Sequence, residues 1–162
     1  MRSLRFLLTL SSIIASSALA LADPTGIAPG AVPPACASLA SVPTDATGPV
    51  PSIAARISAA SCAAEVKFNG LHLAPDDASI AALSDAAKPS VGWLDAAIQQ
   101  NDPVMTPIAQ KARADLFVSM AVRMRNSIAP ITMQTVGPKL AEHDQQHAAL
   151  EPKIKAWLDQ SH

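Results

Sequence analysis

The sequence predicts an all-α fold, a small helical bundle of four to five helices over residues 52–162, preceded by a Pro/Ala-rich extended segment at 23–51. Three observations carry that prediction. Beyond residue 52, apolar residues recur at steps of three and four, which keeps them on one face of a helix. No two alternating apolar runs offer each other strand pairing, and the loops between periodic segments are short. Finally, 33 of the 162 residues are alanine, the strongest helix former and small enough to let helices approach closely.

Residues 1–22 read as a signal peptide. Arg2 and Arg5 make a positive start, Phe6 to Leu19 is apolar apart from Ser and Thr, and Ala20-Leu21-Ala22 places small residues where a signal peptidase reads them. A cut after Ala20 fits nearly as well. The apolar run is shorter and richer in serine than the 20 or so residues that an uncleaved membrane anchor needs. No later segment is long and apolar enough to span a bilayer, so the processed chain is expected to be extracytoplasmic, periplasmic or secreted, without a membrane span. Losing Arg2 and Arg5 takes its formal charge from -1 to -3.

Outside the cytoplasm an even cysteine count points to a bridge, here Cys36 to Cys62. Neither cysteine has a neighbouring His or Lys to lower its pKa, and there is no Cys-x-x-Cys, which disfavours a reactive thiol or metal ligand. Residues 23–51 hold seven of the 14 prolines, which forbids a long helix or central strand there. One short helical turn is expected at Pro34 to Leu39, with proline at its first position.

The first long helix is expected from a Ser52 cap, with Ile53, Ile57, Ala60, Ala64, Phe68 and Leu71 inward and Gly70 as terminator. A second, short helix is capped by Asp76, Asp77 or Ser79, carries Ile80 and Leu83, and stops at Pro89. Ser90 caps a third, with Val91, Leu94 and Ile98 inward, ending near Asn101. Thr106-Pro107 opens a fourth, because a capping hydroxyl followed by proline is a helix-start pattern; it runs to about Ile128. Its apolar residues fall on one broad arc, with Val118 and Val122 on the other side, and a helix apolar on both sides suits the middle of a bundle. Residues 131–136 read as a helical or irregular connector. After Gly137-Pro138 the last helix carries Leu140, His143, His147, Leu150, Ile154 and Trp157, and Pro152 is expected to kink or divide it.

Composition excludes some functions. A chain without positive excess cannot neutralise many phosphates, so no nucleic-acid partner is expected. Two Trp, three Phe and no Tyr leave few faces for stacking bases or sugars. There is no Gly-x-Ser-x-Gly elbow and no phosphate-cradling glycine loop. No catalytic residue is assigned.

One constellation could hold a metal. His143 and His147, four apart on a helix, project from one face and can grip a zinc or copper ion. The string His143-Asp144-Gln145-Gln146-His147 resembles the His-Glu-x-x-His pattern of zinc metalloproteases, with Asp144 where the general-base glutamate stands. No downstream histidine in the right neighbourhood supplies a third ligand, and Glu151 sits about 12 Å along the axis from His143. The likeness therefore does not extend to a protease. Packing or exposure of both histidines, or a pH-sensitive contact, are the alternatives. Glu142, Asp144 and Glu151 lie on one helix and cannot by themselves form a carboxylate pair across a cleft.

Arg113, within the apolar arc of the fourth helix, is expected to snorkel to water; otherwise it pairs with a carboxylate or binds an acidic ligand. Arg123 and Arg125 point to different sides, and Met120 and Met124 are core filler. The expected role is an exported non-catalytic binding or interaction module, with an unknown protein or small molecule as partner. The alternatives are a metal-binding or metal-sensing protein using the histidine pair, and a small secreted helical enzyme where Arg113, Glu65 or Asp115 converge between helices.

Overall fold

The computed structural model describes residues 26–28, 30–42, 46–132 and 137–161. The signal peptide expected at 1–22 lies outside the described residues. Among the described residues the secondary structure is entirely helical, with five α-helices and no strand. No helix among them is long and apolar enough to cross a membrane.

The lead-in is pinned to the domain rather than wholly extended. Pro34 opens a single 3-10 turn, Pro34–Cys36, that continues into the short helix α1 (Ala37–Ala40). Ile27 and Cys36 are both buried. At Gly26 the backbone has φ +65°, and the space a Cβ would occupy lies 2.9 Å from Arg56 Nη2. Glycine suits that position on both counts.

Helix α2 (Val50–Asn69) starts two residues before the expected Ser52. Ser52 does not cap it; its hydroxyl donates to the Pro49 carbonyl at 2.8 Å. The inward stripe is as expected, with Ile53, Ile57, Ala60, Ala64 and Phe68 buried. Gly70 ends the helix with φ -84°, in the right-handed region.

The two helices expected on either side of Pro89 are one, α3 (Asp77–Gln99), with Pro89 inside it. Proline removes one helical hydrogen bond at a cost of about 3 kcal/mol. Against that stands a continuous buried stripe, Leu83, Ala87, Ser90, Leu94 and Ala97, which breaking the helix would expose. Burying a single leucine contributes about 1.5–3 kcal/mol, so the stripe outweighs the proline. Ser90, expected to cap, is instead buried mid-helix with its hydroxyl unpartnered. Asp76 is the residue that caps α3, accepting from the Ser79 N–H at 2.8 Å.

Helix α4 (Met105–Asn126) begins one residue before Thr106, and its cap is also displaced. Asp102 Oδ1 accepts from the Val104 and Met105 N–H groups, each at 2.9 Å. A carboxylate presented before the helix start satisfies two orphan donors, which a hydroxyl inside the first turn cannot reach. The Thr106 hydroxyl is buried and without a partner. Val118 and Val122 are exposed, so α4 is not sheltered on both sides. It takes its neighbours α2, α3 and α5 along one arc.

Helix α5 (Pro138–Asp159) passes through Pro152 undivided. Leu150, Ile154 and Trp157 around the proline are buried. Ile131 and Thr132 are irregular, and residues 133–136 of the expected connector lie outside the described residues.

Ion pairs fix the helix directions. Asp95 of α3 meets Arg113 early in α4, whereas Glu151 and Gln160 of the last segment meet Arg125 and Arg113. Both α3 and α5 therefore run antiparallel to α4 and parallel to each other. Glu65 and Asn69 approach Arg123, so α2 flanks the other side of α4. Alanines at the seams (Ala60 and Ala64 of α2, Ala87 and Ala97 of α3, Ala109 and Ala121 of α4) let these helices pack closely. The backbone of α5 packs on α4 alone, which leaves a gap between α3 and α5.

Candidate functional site

That gap is a groove floored by α4. Phe117 and Met120 form its base, Val91 and Ala87 of α3 line one wall, and Trp157 of α5 lines the other. Ser84, Asp85 and Lys88 make a polar rim, and the volume of this open groove is about 340 Å³. Side chains clasp the groove at both ends. Lys153 of α5 is ion-paired with Asp77 at the start of α3.

At the other end stands Arg113. Its Nε lies 2.9 Å from Asp95 Oδ1, with the N–H not aimed along that line, so the contact is an ion pair rather than a hydrogen bond. Its Nη1 donates to the Gln160 carbonyl at 3.3 Å, and its guanidinium sits 5.2 Å from the centre of the Phe117 ring. One side chain thus ties α3, α4 and the end of α5 together. Arg113 thus pairs with a carboxylate, the alternative expected of it, while its side chain stays 32% exposed. The carboxylate of Asp95, the backbone oxygen of Gln160 and the Phe117 ring lie within its reach, and each favours a cation over bulk water on one of its faces.

Around Arg113 lies a second, more polar cleft of about 540 Å³, lined by Asp95, Gln110, Lys111, Arg113, Gln160 and Ser161 among others. Gln160 borders both spaces. The expected meeting of Arg113, Glu65 and Asp115 does not occur. Asp115 pairs with Lys111 within α4 at 2.6 Å, and Glu65 pairs with Arg123 at 2.6 Å across the α2–α4 seam. Arg123 also takes the Asn69 side-chain oxygen at 2.9 Å and sits 5.5 Å from the Phe68 ring centre. Arg125 turns the other way, to Glu151 at 2.6 Å.

The histidine pair lies elsewhere, in the first half of α5. The His143 and His147 rings are 4.7 Å apart between centroids and inclined by 52°. His143 Nδ1 stands 3.4 Å from Asp144 Oδ1. Among the described residues no group of three His, Cys, Asp or Glu side chains is arranged to hold a metal ion. Two imidazoles are what this face offers a zinc or copper ion. Glu142 contacts Gln146, Asp144 contacts His143 and Glu151 contacts Arg125, so these carboxylates do not face one another.

Cys36 and Cys62 are joined by a disulfide with Cα atoms 5.8 Å apart, tying the 3-10 turn to the middle of α2. Met120 and Met124 are buried in the core.

Sequence reasoning missed Asp95, Gln160 and the paired ends of the groove. Trp157 was placed on the inward stripe, but nothing local marked it as the wall of a gap. No protein family, curated protein or solved structure matches this chain.

Proposed function

We propose that the protein is an exported, non-catalytic binding module whose ligand occupies the groove between α3 and α5. The observation that carries this reading is the groove itself, an apolar floor of Phe117 and Met120 beside Trp157, with polar groups confined to its rim and ends. Ligand sites are concave, mostly apolar and supplied with a few orienting polar groups, and their volumes begin at about 300 Å³. A compact amphipathic molecule, or one bulky side chain of a protein partner, matches that size. Its apolar body would lie on Phe117 and Met120, with its polar end toward Gln160 and the open cleft.

Asp85 and Lys88 sit on the groove's rim, and the charged groups beyond it are paired, Arg113 with Asp95, Lys111 with Asp115 and Lys153 with Asp77. Groups neutralised in pairs orient and exclude water; they do not present a base beside a nucleophile. Ser161, the hydroxyl at the cleft, donates to the Leu158 carbonyl at 2.6 Å. This supports binding over turnover. Export is supported by the Cys36–Cys62 bridge, because disulfides persist in oxidising compartments.

Trp157 provides the readout. In a Trp93→Phe background, its emission should shift and saturate with an apolar fluorescent probe such as anilinonaphthalene sulfonate. Val91→Glu, which sets a carboxylate in the groove wall, should weaken that binding at least tenfold while leaving the helical circular dichroism unchanged. Probe binding that is indifferent to Val91→Glu would refute the groove as the site.

A further inference from the structure

The outward face of α4 carries an unbroken stripe at alternating steps of four and three: Val104, Ile108, Lys111, Asp115, Val118, Val122 and Arg125. It lies opposite the arc that holds Leu116, Met120 and Met124 against the core. Its apolar members are open to solvent, with Val104 63% exposed, Ile108 47%, Val118 41% and Val122 47%. Such spacing on one helix is the seam of a two-helix packing.

The stripe is also a palindrome. Val104 and Val122, Ile108 and Val118, and Lys111 and Asp115 lie in pairs at equal distances on either side of Arg113. If a second copy lays its α4 antiparallel on the first about a two-fold axis at that level, every valine meets an aliphatic partner. Each Lys111 then meets the other copy's Asp115. A two-fold interface demands this kind of self-complementarity. A parallel arrangement would set lysine against lysine and aspartate against aspartate, and the polar central pair therefore selects both direction and register.

We infer that this face binds a second copy of the chain, forming an antiparallel α4–α4 homodimer centred on the Lys111–Asp115 pair. From Val104 to Val122 the stripe runs about 27 Å. Two helices joined over that length bury on the order of 1,000 Å² in total, the lower edge of specific interfaces. The dimer therefore forms and dissociates with concentration. The groove's floor, Phe117 and Met120, lies on the opposite arc of α4 and stays accessible on pairing, whereas the polar cleft shares Lys111 with the seam.

Sedimentation of the purified chain from micromolar to millimolar concentration tests this. Dimerisation is expected across that range. Lys111→Glu, which sets two like-charged pairs at the centre, should weaken it at least tenfold, and Val118→Glu should abolish it; both residues are exposed, so neither change disturbs the core. The charge-swapped Lys111→Glu/Asp115→Lys chain should recover wild-type association, because its central pairs are again opposite. Ile108→Cys protein mixed with Val118→Cys protein should cross-link on oxidation, and neither should cross-link with itself. A chain that stays monomeric at millimolar concentration overturns the inference. So does a swap that fails to restore association, or a single-cysteine variant that links to its own kind.

Discussion

Arg113 and Asp95 form a charge pair that joins α3 to α4, at 2.9 Å between Nε and Oδ1, and the same guanidinium reaches Gln160 beyond the end of α5. The pair is partly exposed, so its Coulomb contribution is screened and stands below about 1 kcal/mol. The Phe117 contact and the buried stem of Arg113 add to it. Asp95→Asn is therefore expected to lower stability by less than about 1 kcal/mol, and Arg113→Ala by about 1–2 kcal/mol, in urea unfolding. Arg113→Ala should also speed amide exchange at Trp157 and Leu158, since the tie to the end of α5 is lost. Unchanged exchange there would show that α5 docks without Arg113.

Ser90 is 1% exposed and its hydroxyl has no partner. A buried donor left unmade costs about 1–3 kcal/mol, while the methyl of alanine needs no partner. Ser90→Ala is expected to stabilise the protein by about 1 kcal/mol, which raises the Tm by roughly 2–4 °C for a chain of this size. A drop in Tm would mean that the hydroxyl is satisfied in solution, by an ordered water in the α3 seam.

The helical bundle was legible because Ile53 to Phe68 and Leu150 to Trp157 repeat at helical spacing whatever they pack against. At Pro89 a local rule, the missing N–H, gives way to the stripe from Leu83 to Ala97, which only the folded context buries. Thr106 misled in the same way: its hydroxyl matched the capping pattern, yet Asp102 lies closer to the orphan N–H groups. Contacts within a helix turn, such as Lys111 with Asp115, are written in the spacing. Arg113 with Asp95 is not, because it depends on how two helices lie side by side. The groove was illegible for that reason too; it is a gap left by α5 packing on α4 alone, and no single segment encodes a gap.

The disulfide closes a loop between Cys36 and Cys62 and holds the lead-in against α2. In the chain-entropy model such a loop contributes about 3–4 kcal/mol. Cys36→Ala/Cys62→Ala should lose that amount in urea unfolding. The loss should come with protease cleavage in α1, Ala37–Ala40, which the bridge otherwise anchors. A double variant that resists both would place the anchoring in Ile27 and its surroundings instead.

The cap on α3 makes an acid-sensitive helix start. The Ser79 N–H, followed by the Ser79 hydroxyl, holds the Asp76 carboxyl below its ordinary range, and the slight loss of hydration acts the other way. A carboxylate with a depressed folded-state pKa contributes stability that is present above the unfolded value, about 3.9. That contribution is lost as pH falls through the lower folded value. Asp76→Asn keeps an acceptor at the cap but cannot titrate, so the stability lost between pH 5 and the acid limit should be smaller than in the wild type. Asp76→Ala should lower the Tm at neutral pH, because no acceptor remains for the Ser79 N–H. An Asp76→Asn chain whose acid unfolding matches the wild type would show that other carboxylates dominate.

The histidine pair sets a limit that can be measured. His143 and His147 present two imidazoles from adjacent turns, with ring centroids 4.7 Å apart, and the described residues add no third side chain in a ligating arrangement. Zinc held firmly by protein takes three or four protein ligands, so two leave most of the coordination shell to water and the binding weak. Stabilisation by a ligand grows only as the logarithm of its concentration over its dissociation constant. Zinc or copper at micromolar concentration is therefore expected to shift the Tm by about a degree or less. His143→Ala and His147→Ala should each abolish whatever shift occurs. A saturable stabilisation of several degrees at stoichiometric metal, lost in His147→Ala, would overturn this. It would mean that a ligand from the residues outside the described segments, or from a second copy, completes the site.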